Sequence, residues 1–321
     1  MTTATAAAPP RRLDLRDPTF WSNNAALFGL IAVIIVFAIL SPSFLTGGNI
    51  SNMLVSATIL VVLSIGQQFA IVVAGIDLSI GSNLPWAAAL LGFGVTHGWN
   101  LPLSIILAIV GGTAVGVING LIVTKLRIND FIVTLGMFGV MNGLGLLLTD
   151  ANSVPVNSGF LQGLALNGLG PVQYFWLVAL AVAVVAFVVL FKTKFGTHLL
   201  ATGGNRDAAR SMGIKVDRVR IAAYSISGLL VGIAAVLLVA HTGTADPSLQ
   251  TSQLLSSIAA VVLGGSSLFG GRASIVGTVA GALLLSVLIT GFTLLNISQY
   301  YQPIAVGLVV LMSAVLSRFQ K

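Results

Sequence analysis

The chain has 321 residues, 56% of them hydrophobic and only 7% charged, with a formal net charge of +7. Soluble domains carry about 25% charged residues, so this composition excludes a water-covered globule and requires lipid over most of the surface. The lack of cysteine excludes disulfides, thiolate metal sites and cysteine nucleophiles, and 36 glycines suit close helix packing in lipid.

A bilayer-spanning helix needs about 20 mostly apolar residues. In chain order such stretches run over 25–44, 53–75, 79–97, 101–124, 131–149, 172–191, 221–241, 254–264, 274–295 and 302–316. The expected fold is therefore an all-α integral membrane protein of about ten transmembrane helices. Two stretches are expected to be broken or short. The third contains Pro85 and several glycines, and the eighth is too short to cross alone. With the N-terminus in the cytoplasm, all 15 Lys and Arg residues fall in inner segments, among them Arg11, Arg12, Arg16, Lys125, Arg127, Arg272, Arg318 and Lys321. Such one-sided placement follows the positive-inside rule and predicts both termini inside. It also explains the net charge without nucleic acid.

Residues 1–24, rich in Ala, Thr and Pro, read as a flexible cytoplasmic tail rather than a cleaved signal, because the apolar run after them is too long and lacks a small-residue cleavage site. Residues 25–321 read as a single transmembrane domain. Its largest inner loop, 192–220, sets seven basic residues against Asp207 and Asp217. Inside it a short helix is expected, with Asn205 as N-cap, Asp207 in the first turn and Gly213 at the position after the C-cap. Ala208 and Ala209 give it a small face, and Met212 and Ile214 an apolar one. Two readings stand: a docking helix for a soluble partner, or a basic turn resting on anionic headgroups of membrane lipid.

The sequence Asp207-Ala208-Ala209, three residues, then Gly213 resembles the EAA loop of bacterial ATP-binding-cassette (ABC) importer permeases, with Asp for Glu. Over residues 45–320 the chain resembles the ribose-type sugar permeases of that class. The resemblance is carried by Gly75-Ile76-Asp77-Leu78-Ser79-Ile80-Gly81-Ser82, by Ile128-Asn129-Asp130-Phe131-Ile132-Val133-Thr134-Leu135-Gly136-Met137, by Gly203-Gly204-Asn205-Arg206 through Gly213-Ile214, and by Ala259-Ala260-Val261-Val262-Leu263-Gly264-Gly265. Asn129-Asp130 departs from relatives, where proline is frequent. The resemblance implies a permease that imports a monosaccharide across the bacterial inner membrane by alternating access. A periplasmic or lipid-anchored sugar-binding protein would deliver the sugar, and a second permease copy would complete the path. ATP and Mg²⁺ would act on a separate ATPase subunit, coupled through Gly203, Gly204, Asn205, Arg206, Asp207, Ala208, Ala209, Arg210, Gly213 and Ile214. No G-x-x-x-x-G-K-[ST] loop occurs in the chain, in keeping with ATP chemistry on a partner. No cofactor and no catalytic residue of its own are expected.

Transporter paths tend to run where helices are discontinuous. Gly75 to Gly81 and Gly265 to Gly271 share G-x-x-L-x-x-G, an internal match that suggests a parallel repeat. The path candidates are Gln67, Gln68, Gly75, Asp77, Ser79, Gly81, Asn119, Gly265, Ser266 and Gly271. Asp77 has three readings: a carboxylate in a short inner loop facing water, a cap on the helix that follows, or a direct sugar contact. For Gln67, Gln68, Asn119 and Asn142 the competing reading is interhelical hydrogen bonding. The neutral loop 150–171 either meets the binding protein or only connects. His97, His198 and His241 lack metal-ligand spacing, and no Ser has an evident His or Asp partner. Two alternatives remain, a permease for branched-chain amino acids and a stand-alone secondary transporter. The latter needs charged relays inside spans, and only Asp77 is available. A membrane scaffold would need no broken helices.

Overall fold

The structure, a computed structural model, describes residues 25–169, 172–248 and 251–318. The expected tail over 1–24 and the charges of Arg11, Arg12, Arg16 and Lys321 lie outside them. In chain order the first helices are α1 (Ala25–Leu40), α2 (Gly47–Val72), α3 (Ile80–Thr96), α4 (Leu101–Lys125) and α5 (Asp130–Leu148). Next come β1 (Val154–Pro155), α6 (Gly159–Leu166), β2 (Gly168–Leu169), β3 (Val172–Gln173) and α7 (Tyr174–Lys192). The remainder is α8 (Lys194–Gly204), α9 (Arg206–Ser211), α10 (Val216–Thr242), β4 (Thr244–Ala245), α11 (Thr251–Leu263), α12 (Ile275–Leu294) and α13 (Tyr301–Arg318).

The protein is an all-α, multi-pass membrane protein. Among the described residues six helices are long and apolar enough to cross a membrane, namely α2, α4, α5, α7, α10 and α12. The other predicted stretches are present as shorter or less apolar helices: α1 with 16 residues, α3 with 17, α11 with 13 and α13 with 18. At about 1.5 Å per residue α11 spans only about 20 Å, short of a hydrocarbon core of about 30 Å.

Two details depart from the sequence expectation. Pro85 does not break the third helix, since α3 runs through it and is buried on both sides of it. The irregular stretch is instead 73–79, which precedes α3. The loop after α5 is not a bare connector, one of the two readings it allowed: it carries α6, and β1 pairs antiparallel with β4, stapling it to the end of α10.

Packing follows from composition. Every residue of α2 from Ala57 to Val72 is buried, as expected of a helix that is apolar all round. Around it stand α10, α12, α11 and α7. The most extensive helix pairing among the described residues is that of α4 with α10. Gly112 and Gly116 on α4 face Gly228 and Gly232 on α10, and Gly120 faces Ile221. A Cβ at Gly112 would lie 2.9 Å from the Gly228 carbonyl oxygen, and one at Gly232 2.7 Å from the Ile109 Cα. In lipid, where apolar burial drives little association, such backbone approach supplies the contact.

Candidate functional site

The loop between α7 and α10 folds as the capping residues require. Asn205 takes an extended conformation, and its side-chain oxygen accepts from Asp207 N–H at 3.0 Å and Ala208 N–H at 2.9 Å, starting α9. At the other end Gly213 sits at φ +82°, with Gly213 N–H on the Arg210 carbonyl and Ile214 N–H on that of Ala209. This is a Schellman stop. Asp207, Ala208, Arg210 and Met212 face outward. Arg210 lies 3.9 Å from Asp207 and 3.6 Å from Asp217, exposed pairs that add little stability. Three residues expected on the exposed docking helix are not available there, two by position and one by orientation. Gly203 and Gly204 form the last turn of α8, and the Ala209 side chain turns inward, 4% exposed. Space around Gly213 is open, so a β-branched residue there meets only the positive φ. Gly213→Val is expected to cost about 1 kcal/mol or more locally and to unwind the end of α9. On the importer role that the resemblance implies, uptake should fall with the fold intact, as measured by transport and circular dichroism.

Inward of α9 lie the two irregular segments, 73–79 and 264–274, and they touch. α2 ends with Ala74 N–H on the Ile71 carbonyl and Gly75 N–H on that of Ala70. α11 ends with Gly265 N–H on the Val262 carbonyl and Ser266 N–H on that of Val261. Both are Schellman motifs. Their equivalent residues, Ala74 at φ +55° and Gly265 at φ +82°, are 191 positions apart, one more than the matched glycines suggest. Gly271 N–H donates to the Val72 carbonyl at 3.0 Å, and Gln68 Nε2 to Ser266 Oγ at 3.1 Å.

The end of α8 and the start of α9 rest on this junction. A Cβ at Gly203 would overlap the Val72 carbonyl oxygen and come within 2.6 Å of Gly271 N. The Arg206 guanidinium turns inward and donates to the carbonyls of Val73 at 3.3 Å and Ala74 at 2.8 Å. From the other side Asp130, in the first turn of α5, accepts from Ile76 N–H at 2.8 Å and from the Tyr224 hydroxyl at 3.3 Å. The departure at Asn129-Asp130 thus has a structural account: Asn129 caps α5 through Phe131 N–H, and Asp130 holds the first break. Sequence reading had only the unusual dipeptide as a signal.

Asp77 is 1% exposed. It accepts from Ser79 N–H and the Ser79 hydroxyl, as a turn-stabilising carboxylate does, and its second oxygen accepts from Ser227 on α10 at 3.0 Å. Asn119 Nδ2 reaches Ser79 Oγ at 2.9 Å. Asp77, Ser79 and Asn119 therefore form one buried cluster with Ser227. Gly81 is wedged against Phe138 and Leu254. Gln67 and Gln68 are fully buried, and both polar atoms of the Gln67 amide lack a hydrogen-bond partner among the described residues. Among the described residues no group of three or more His, Asp or Glu is placed to hold a metal.

At the opposite end of α2, about 20 residues and so about 30 Å from this junction, a cavity of about 890 Å³ opens between α2, α11, α12 and the start of α13. Asn49, Asn52, Ser56, Ser256, Ser286 and Thr290 line it together with apolar Met53, Leu60, Leu255, Ile289 and Leu294, and none of the described lining residues carries a charge. The sequence did not single out this cavity, since lone Ser and Thr on apolar helices give no distinctive pattern.

Residues 49–314 match the family model described as branched-chain amino acid transport system / permease component. The ribose import permease protein of Escherichia coli (strain K12) is 37% identical over 301 residues, covering 92% of this chain and 93% of that protein. The ribose import permease protein of Bacillus subtilis (strain 168) is 40% identical over 295 residues, covering 90% and 91%. The D-allose transport system permease protein of Escherichia coli (strain K12) is 32% identical over 304 residues, covering 93% and 92%. No solved structure matches the chain. With four-fifths of its length matched and relatives of this identity covered nearly end to end, the chain belongs to the family of branched-chain amino acid transport system permease components.

Proposed function

We propose that this chain is the membrane-spanning permease subunit of an ABC importer carrying a monosaccharide across the bacterial inner membrane. About ten helices cross, with both termini in the cytoplasm. The proposed partners are an ABC ATPase that supplies ATP and Mg²⁺ chemistry, a periplasmic or lipid-anchored sugar-binding protein, and a second copy of the permease. The reading is supported by relatives named for ribose and D-allose. The observation that carries it is mechanical: the loop resembling the ATPase-coupling segment rests on both breaks, with Arg206 hydrogen-bonded to the Val73 and Ala74 carbonyls of the first and Gly203 packed against Gly271 of the second. A displacement of α9 by the ATPase is thereby delivered to the ends of α2 and α11. The residues between Asn205 and Ile214 couple, and the breaks move.

The family description favours a second reading, branched-chain amino acids. The uncharged lining of the outer cavity speaks against it, because a zwitterion desolvated there would find no countercharge. The test is reconstitution of permease, ATPase and binding protein in liposomes with a panel of neutral sugars and branched-chain amino acids. Sugar uptake that needs ATP and the binding protein is expected. Uptake by the lone permease without ATPase, or of amino acids alone, would overturn the proposal.

A further inference from the structure

We infer that Arg220 is a coupling residue of the transport cycle: unpaired in this conformation, it takes the Asp130 carboxylate when α9 moves, and so draws Asp130 off the first break. The inference rests on the importer reading and adds to it a residue and the ion pair that residue forms.

The starting point is a charge without a partner. Arg220 lies in the second turn of α10, and only 9% of it is exposed. Its Nε is buried with no hydrogen-bond partner among the described residues. The ion pairs among those residues, Arg210 with Asp207 and with Asp217, do not include it. A buried guanidinium left unpaired costs free energy, and arginine keeps its charge rather than give up the proton. In a protein with two conformations that cost favours the one in which the charge is paired.

The partner is set by the face on which Arg220 stands. Asp217, Arg220, Tyr224 and Ser227 follow one another on α10 at steps of three, four and three, so they share one face. Tyr224 and Ser227 already reach the acids opposite, Asp130 and Asp77. Arg206, Tyr224, Asp130 and Asp217 are the ionisable groups near enough to act on the Arg220 charge. Of the two acids, Asp217 is taken by Arg210 at 3.6 Å and has 46% of its side chain exposed. Asp130 is half-buried and meets α10 at Tyr224, one turn further along. It accepts from Ile76 N–H and from the Tyr224 hydroxyl on the same oxygen, Oδ2, which leaves Oδ1 open to another donor. α5 packs on α3 and α4, and the Asp130 side chain bridges from it to α10. A bridge made of one side chain can change partner without a helix repacking.

The exchange follows from what holds the first break. Arg206 fixes the Val73 and Ala74 carbonyls, and Asp130 fixes Ile76 N–H two residues on. When α9 withdraws Arg206, Ile76 loses its alignment with Asp130, and a like charge leaves the neighbourhood of Arg220. The carboxylate then closes on Arg220, whose planar fork can donate to both of its oxygens. Ile76 is released and the break moves. Return of α9 reverses the exchange.

Two measurements test this. In the isolated permease in detergent, Arg220→Gln is expected to keep the thermal-unfolding midpoint at the wild-type value or above it, because an unpaired buried charge is removed. Tyr224→Phe frees Asp130 from one of its two bonds and shifts it toward Arg220, so in that background Arg220→Gln is expected to lower the midpoint. In the reconstituted complex Arg220→Gln is expected to lower sugar uptake at least about tenfold while ATP hydrolysis continues, and Arg220→Lys to recover part of the loss. A lower midpoint for Arg220→Gln alone would show that the arginine is already paired, by a lipid phosphate or by an acid outside the described residues, and would overturn the proposal. So would equal midpoints with and without Arg220→Gln in the Tyr224→Phe background, or wild-type uptake by Arg220→Gln. If the wild-type complex imports no sugar, the importer reading fails, and the midpoints still decide whether Arg220 and Asp130 form a pair.

Discussion

Replacing Gly203 with leucine is expected to abolish uptake and to lower the thermal-unfolding midpoint in detergent, while Gly204→Ala, one residue on, leaves both unchanged. The two glycines read alike in sequence, yet their surroundings are opposite. A Cβ at Gly204 meets nothing within 4 Å, whereas one at Gly203 overlaps the Val72 carbonyl oxygen and crowds Gly271 N. Overpacking in a core costs about 1–3 kcal/mol when side chains can rotate away. Here the obstacles are main-chain atoms at the ends of α2 and α11, so relief requires lifting α8 off the junction. That movement withdraws Arg206 from Val73 and Ala74 and separates the coupling loop from the breaks. Even Gly203→Ala should impair uptake. Normal uptake by Gly203→Leu, with the protein present in the membrane at wild-type level, would rule out the seat as the coupling contact.

Much of this arrangement is legible in the sequence because it depends on short-range chemistry. Asn205 and Gly213 mark the ends of α9 through capping preferences, and the structure places both as the sequence suggests. The two glycine-bounded segments at 75–81 and 265–271 are also visible as interruptions of apolar runs. What cannot be read locally is direction and partnership. Arg206 looks like one more surface cation, yet it points inward because backbone carbonyls freed at the end of α2 need a donor. Asp130 reads as a first-turn acid of α5 and acts across 54 residues on Ile76. Ser227 and Tyr224 are anonymous on α10 until the fold sets them against Asp77 and Asp130. The cavity is illegible for a related reason. It lies between α2, α11, α12 and the start of α13, each contributing unremarkable residues whose common face appears only after packing.

Arg206→Ala is the substitution that separates coupling from folding. The guanidinium donates to two carbonyls of the first break, and hydrogen bonds from charged groups contribute about 1.5–3 kcal/mol. At about 1.4 kcal/mol per factor of ten, their loss should reduce uptake about ten- to a hundredfold. Ala74 remains in its left-handed conformation, held by the Ile71 carbonyl and by Gly270 against it, so the fold should survive. ATP hydrolysis, which belongs to the proposed partner subunit, should continue but no longer drive sugar uptake. Arg206→Lys restores the charge without the planar fork and should recover only part of the coupling. The measurement is the ratio of sugar imported to ATP hydrolysed in the reconstituted complex. A ratio equal to that of the wild type in Arg206→Ala would show that the contact with the first break does not carry the stroke. A reduced ratio in Arg206→Ala, partly restored in Arg206→Lys, is what the geometry requires, because α9 would then move without moving the end of α2.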